Sequence, residues 1–158
     1  MTKRKSRRAQ PAHHKLTLHS ALKNWYTQPG DEQEVPVDGY VIDVVRGDLL
    51  IEVQTRSFAS IRDKLLDLLP HHRVLLVHPI AYERWIVKQD KETLTTLSRR
   101  KSPKRGNFCH VFAELVSFPT LLAEENLILD VVLTQEDEIR RHYPGHAWRR
   151  RGWVIHKR

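Results

Sequence analysis

Asp43 and Glu52 are the residues in this sequence best placed for chemistry, because each interrupts an apolar segment where a bare carboxylate is costly to bury. They lie in Tyr40–Arg46 and Leu49–Arg56, two runs rich in β-branched residues and joined by Gly47 and Asp48. A Gly-Asp pair between two such runs predicts a two-residue hairpin. With that loop Arg46 faces Leu49, Val45 faces Leu50, Val44 faces Ile51 and Asp43 faces Glu52. Side chains alternate along a strand, so Asp43, Glu52 and Gln54 share one face, and Ile42, Val44, Ile51 and Val53 point into a core. Two carboxylates held together repel unless a cation lies between them. Mg²⁺ or Mn²⁺ takes carboxylate oxygens together with water and phosphate oxygens. Such an ion polarises a phosphoryl group and acidifies bound water. The expected chemistry is metal-assisted hydrolysis of a phosphodiester, with Gln54 orienting water or a phosphate oxygen. Gln54 is neither a base nor a cation.

The charge distribution points to the same class of substrate. Lys and Arg number 27 against 19 acids, a net charge of +8, and every acid lies between Asp31 and Glu138. The two ends are therefore purely cationic. A basic cluster, Arg99, Arg100, Lys101, Lys104 and Arg105, lies inside the chain, and a second, Arg149, Arg150 and Arg151, near its end. Blocks of this kind fit a nucleic-acid backbone, with DNA placed ahead of RNA, while the plain alternative is a set of solvated basic tails. Trp148 and Trp153 flank the second cluster, where they either stack on bases or pack into the core. The apolar runs are too short to span a bilayer, and no secretory signal is evident. With one cysteine, Cys109, no internal disulfide framework is available, so a reduced, cytoplasmic setting is expected. No Walker, dinucleotide, zincin or nucleophile-elbow motif is present.

The elements that must position these residues follow from periodicity and breakers. Residues 1–14 read as a disordered basic arm. Leu18, Ala21, Leu22 and Trp25 recur at helical spacing and predict a helix over 16–26, stopped by Pro29 and Gly30. After the hairpin, Ser57 or Ser60 caps a helix running to Leu69, with Lys64 on it and Pro70 ending it. Arg73–His78 is a buried strand closed by Pro79, and Tyr82–Lys88 a further strand. Residues 91–107 form a basic loop within the polar stretch 89–107. The remainder, 108–158, reads as an α+β appendage: a helix broken near Pro119, a strand over Leu127–Leu133, a helix over Glu136–Tyr143 and a last strand over Gly152–Lys157. That order is compatible with a small winged-helix-like unit.

The pattern Asp43, hairpin, Glu52-x-Gln54 resembles the PD-(D/E)XK phosphodiesterase superfamily, with Gln54 where a lysine is usual. The resemblance covers roughly residues 16–88. It implies an α/β fold with a restriction-endonuclease-like core at 15–90 (helix, β-hairpin, helix, strand, strand) and a metal-dependent DNA endonuclease. On it, Asp43 and Glu52 hold Mg²⁺ or Mn²⁺, and Lys64 is a candidate for the missing lysine. Many members also donate a glutamate from the first helix. Here no acid precedes Asp31, and His14, Lys15 and His19 stand near that place instead. Asp38 is an alternative to Asp43. A second outcome is a DNA-binding module that kept the scaffold without the chemistry. Cutting both strands would suit a homodimer.

Overall fold

The computed structural model describes residues 17–157, so the expected arm over 1–14 lies outside the described residues. Helix α1 spans Leu18–Tyr26, and the Thr17 hydroxyl caps it by accepting from the Ser20 amide. Leu18, Leu22 and Tyr26, spaced by four, pack into a cluster with Val44, Ile51, Val53 and Val77. Trp25, expected on that face, is instead 84% exposed. The helix is pinned further by the Tyr26 hydroxyl, which donates to Asp130, and by the Lys23–Glu34 ion pair.

Strands β1 (Glu32–Val37), β2 (Tyr40–Arg46) and β3 (Leu49–Val53) form an antiparallel meander. The β2–β3 register is the one expected from the sequence, Val44 opposite Ile51, Val45 opposite Leu50 and Arg46 opposite Leu49. Gly47 takes φ 57, the left-handed backbone that the first residue of a tight hairpin loop requires. Strand β1 was not expected. Its Pro36 is tolerated because β1 is an edge, where a missing N–H costs no ladder bond.

A 3₁₀ turn at Phe58–Ser60 and helix α2 (Arg62–Leu68) then cross to the other face. There Phe58, Leu65, Leu68 and Leu69 join Leu50, Val74 and Leu76, together with Val111 and Leu115 from the short helix α3 (Val111–Leu115). Neighbours such as Leu50 and Ile51, or Leu76 and Val77, fall in different clusters, so the sheet has an apolar layer on each face.

Strand β4 runs unbroken over Arg73–Gln89, merging the two strands expected there. Pro79 does not close it. The pairing with β3 ends at Val77 and that with β5 (Thr96–Lys101) begins at Trp85, so β4 is an edge on that flank around Pro79. Strand β6 (Leu127–His142) lies parallel to β4 from Val74/Leu127 to Gln89/Arg141, and β7 (Trp153–Lys157) pairs with β6.

These pairings correct the expected fold class. The described residues are mostly β, 44% strand against 23% helix, in one curled mixed sheet that forms a half-barrel. It is not an α/β restriction-endonuclease-like core carrying a winged-helix-like appendage. Residues 127–157 supply two strands to the same seven-stranded sheet. The segment Glu136–His142, expected as a helix, is strand because long-range pairing overrides helix propensity. Its Glu136 and Glu138 are buried against arginines that only β4 and β6 together can present. The basic stretch 91–107, expected as a loop, contains β5.

Candidate functional site

The site forms where β2 and β3 part. Their described pairing starts at Arg46/Leu49 and stops at Val44/Ile51. Ile42 belongs to one apolar cluster and Val44, two residues on, to the other, although regular alternation would give them one face. Strand β2 therefore turns over at Asp43. On β1, Glu34 lies between the Gln33/Val44 and Val35/Ile42 pairs and takes φ 54 at the same level. This corrects the expectation that Ile42 and Val44 point the same way.

In the gap, side chains replace ladder bonds. The Val53 amide donates to Asp43 Oδ2 at 2.9 Å, and the Asp43 amide donates to Glu52 Oε1 at 3.3 Å. Lys64 Nζ, arriving from α2, donates to Glu52 Oε1 at 2.6 Å and to the Val41 carbonyl at 2.7 Å. His19 Nε2, arriving from α1, lies 3.2 Å from Asp43 Oδ2. One helix thus reaches the pair from each face of the sheet. Asp43 and Glu52 are 12% and 7% exposed at the side chain, whereas His19 is 39% exposed and marks the mouth.

Burial, the largest influence, raises the Glu52 pKa above the usual carboxylate range; the Lys64 ammonium counters it and the Asp43 charge adds to it. Two carboxylates face one lysine and one imidazole, so the gap carries excess negative charge when both carboxylates are ionised and His19 is neutral. Asp43 Oδ1 and Glu52 Oε2 accept no hydrogen bond among the described residues. Two free carboxylate oxygens suit a hard ion that keeps water and phosphate as its other ligands. Among the described residues no group of three or more His, Cys, Asp or Glu side chains gathers around one point, so a closed protein cage of the structural-zinc kind is not built here.

The other expected residues are placed differently. Gln54 stays apart from the carboxylates: its amide nitrogen donates to the Ser57 carbonyl and the Ser60 hydroxyl at 3.0 and 2.8 Å. Asp38 sits in the β1–β2 turn, 2.6 Å from His72. His78 is a satisfied core histidine, bonded through Nδ1 to the Gln54 carbonyl and edge-on to Phe58. In the first basic cluster, Arg99 pairs with Asp137, and Lys101 and Arg105 share Glu83. Arg99 and Lys101 also cover the Trp85 ring, at 4.6 and 5.4 Å. Arg100 and Lys104 are exposed with no ion pair among the described residues, and so are Arg149, Arg150 and Arg151. Sequence reasoning missed the buried set Arg84, Glu136, Glu138 and Arg140; its one sequence signal is the alternation of charge at 136, 138 and 140.

Comparison with known proteins adds family membership without a named activity. The family model described as "Domain of unknown function (DUF8091)" matches residues 16–158. An "Uncharacterized protein" of Treponema pallidum (strain Nichols) is 36% identical over 124 residues, 78% of this chain and 49% of that protein. The chain thus spans about half the length of that relative. No solved structure matches it. Among the described residues, no helix is long and apolar enough to cross a membrane.

Proposed function

We propose that this chain, which belongs to the family described as "Domain of unknown function (DUF8091)", is a metal-dependent endonuclease that hydrolyses phosphodiester bonds in DNA. One observation carries the reading: Asp43, Glu52 and Lys64, separated in sequence, converge in the gap between β2 and β3, two carboxylates against one lysine. A bound Mg²⁺ or Mn²⁺, held by Asp43 and Glu52, would polarise the phosphate and acidify a water. The chain's own groups supply the geometry. The Val53 amide fixes the Asp43 carboxylate, and Lys64 with the Asp43 amide fixes Glu52. Lys64, tethered to the Val41 carbonyl, keeps a positive charge beside the carboxylates to meet a phosphate oxygen. Gln54, whose amide nitrogen is bonded to Ser57 and Ser60, is given no role in this reading. Arg100, Lys104 and Arg149–Arg151 hold the backbone away from the cut.

The test is nicking of supercoiled plasmid and branched oligonucleotides in Mg²⁺, Mn²⁺ or EDTA, with Glu52→Ala beside the natural chain. Metal-dependent cutting lost in Glu52→Ala is the expected result. Cutting that survives the substitution would overturn the site. The Gln54 geometry favours a second reading, a binding module without chemistry. Equal DNA binding by both proteins with no cutting would select it.

A further inference from the structure

A cavity of about 390 Å³ opens beside the upper half of β4, lined by Ile80, Arg84, Lys104, Arg105, Gly106 and His110, with Ala81 at its wall. Gly106 makes this wall possible. Its amide donates to the Ala81 carbonyl at 2.8 Å, and a Cβ there would lie 2.5 Å from the Ile80 side chain and 2.7 Å from that carbonyl oxygen.

Every polar side chain on the lining is a donor. The Asn107 amide donates to His110 Nδ1 at 2.9 Å, which leaves the proton of a neutral ring on Nε2. Arg84 is held through Nε by Glu136 at 2.6 Å, with Nη1 3.7 Å from Glu138, and Arg105 through one terminal nitrogen by Glu83 at 2.8 Å; the remaining terminal nitrogen of each makes no hydrogen bond or ion pair among the described residues. Lys104 makes no side-chain hydrogen bond or ion pair there. Four donor side chains, two of them fixed by carboxylates of which Glu136 is buried, and no acceptor side chain form a site for an oxyanion.

We infer that this cavity takes a phosphate group of the bound nucleic-acid strand, an inference that rests on the endonuclease reading. Glu52 is paired with Leu76, and the cavity begins at Ile80 and ends at Arg84. At about 3.3 Å per residue along β4 that is roughly 13–26 Å from the carboxylates. At about 3.4 Å per nucleotide step it is roughly four to eight nucleotides from the cut.

The experiment is anisotropy titration of a labelled single-stranded oligonucleotide of roughly twelve nucleotides, long enough for that span. It is run in EDTA over a range of salt, with the natural chain, Lys104→Glu and Arg73→Glu, the latter at an exposed cation outside the proposed binding residues. Lys104→Glu should weaken binding about tenfold and reduce the salt slope by about one; Arg73→Glu, an equal change of charge elsewhere, should do less. Inorganic phosphate should compete in the natural chain, shift the His110 ring resonances, and do neither in Lys104→Glu. Equal losses in the two variants would mean diffuse attraction and overturn the subsite. Phosphate that shifts His110 without being displaced by the oligonucleotide would mean a small-anion site, and would also overturn it. Nicking in Mn²⁺ with the same preparations separates the two claims. A Lys104 effect without any cutting keeps the subsite and removes the enzyme, and cutting without a Lys104 effect does the reverse.

Discussion

Glu52 and Glu138 are both buried glutamates in one sheet beside a cation, and they are held in opposite ways. Around Glu138 the charges balance: Arg140 reaches it at 2.6 Å and Arg84 at 3.7 Å, while Arg84 also holds Glu136 at 2.6 Å. Two guanidiniums answer two carboxylates in fixed forks. Around Glu52 the balance is conditional: Lys64 reaches Glu52 alone, and Asp43 has only His19, a cation when protonated, at 3.2 Å. The β1–β3 region leans on apolar layers on both faces, so it can carry an unbalanced polar gap. The distal ribbon β5-β4-β6-β7 has few such contacts and is ordered by ion pairs and by cations over Trp85 and Trp153. In one sheet, guanidiniums match the glutamates of the ribbon, and the gap at Asp43 and Glu52 holds a single permanent cation.

The largest effect is expected from Arg84→Met, which leaves Glu136 and Glu138 with one of their two guanidiniums. It should cost about 3–5 kcal/mol by urea denaturation, because the buried Glu136 then loses the guanidinium that holds it. A cost below about 1 kcal/mol would mean that the network does not order the ribbon.

Lys64→Met should cost less, about 1.5–3 kcal/mol near neutral pH, the scale of a hydrogen bond to a charged group. Its cost should depend on pH. Glu52 has its folded pKa raised by burial, so its contribution to stability is full below its unfolded value and declines as pH rises through the folded one. Lys64 opposes that decline by stabilising the ionised carboxylate. The penalty of Lys64→Met should therefore be small at pH 4 or below and grow as pH rises from there, as chemical denaturation across pH would show. A penalty independent of pH would break the link between Lys64 and Glu52.

The smallest effect belongs to the ribbon's surface. Arg99→Ala removes a half-exposed pair with Asp137 and a cation over Trp85, and should cost about 0.5–1 kcal/mol in the same assay. A larger loss would show that single surface pairs, rather than the buried set, order the ribbon.

Legibility in the sequence tracked the range of the interactions. The β2–β3 hairpin and its register were readable because Gly47 and the flanking β-branched runs act locally. Asp43 and Glu52 followed from that register. Lys64 was a candidate through the family resemblance alone, and His19 only a residue standing near the place of a first-helix acid, because their arrival depends on how α2 and α1 cross the two faces. Gln54 looked aligned with Glu52 by alternation, but the strand ends at Val53 and its side chain turns to Ser57 and Ser60. The fold class was misread because β6 seemed a strand followed by a helix. Its partner residues, Arg84 for Glu136, lie 52 positions away, and no local pattern reports such a pairing. Pro79 misled for the same reason, since the flank it leaves unpaired is set by where β3 ends and β5 begins.

Calorimetric titration of Mn²⁺ into the full chain, beside Asp43→Asn and Glu136→Gln, decides whether the gap at Asp43 and Glu52 holds a metal ion. Saturable Mn²⁺ binding is expected in the natural chain, lost in Asp43→Asn and retained in Glu136→Gln. Binding that persists in Asp43→Asn, or that disappears equally in Glu136→Gln, would contradict the assignment of the unbalanced gap as the metal site.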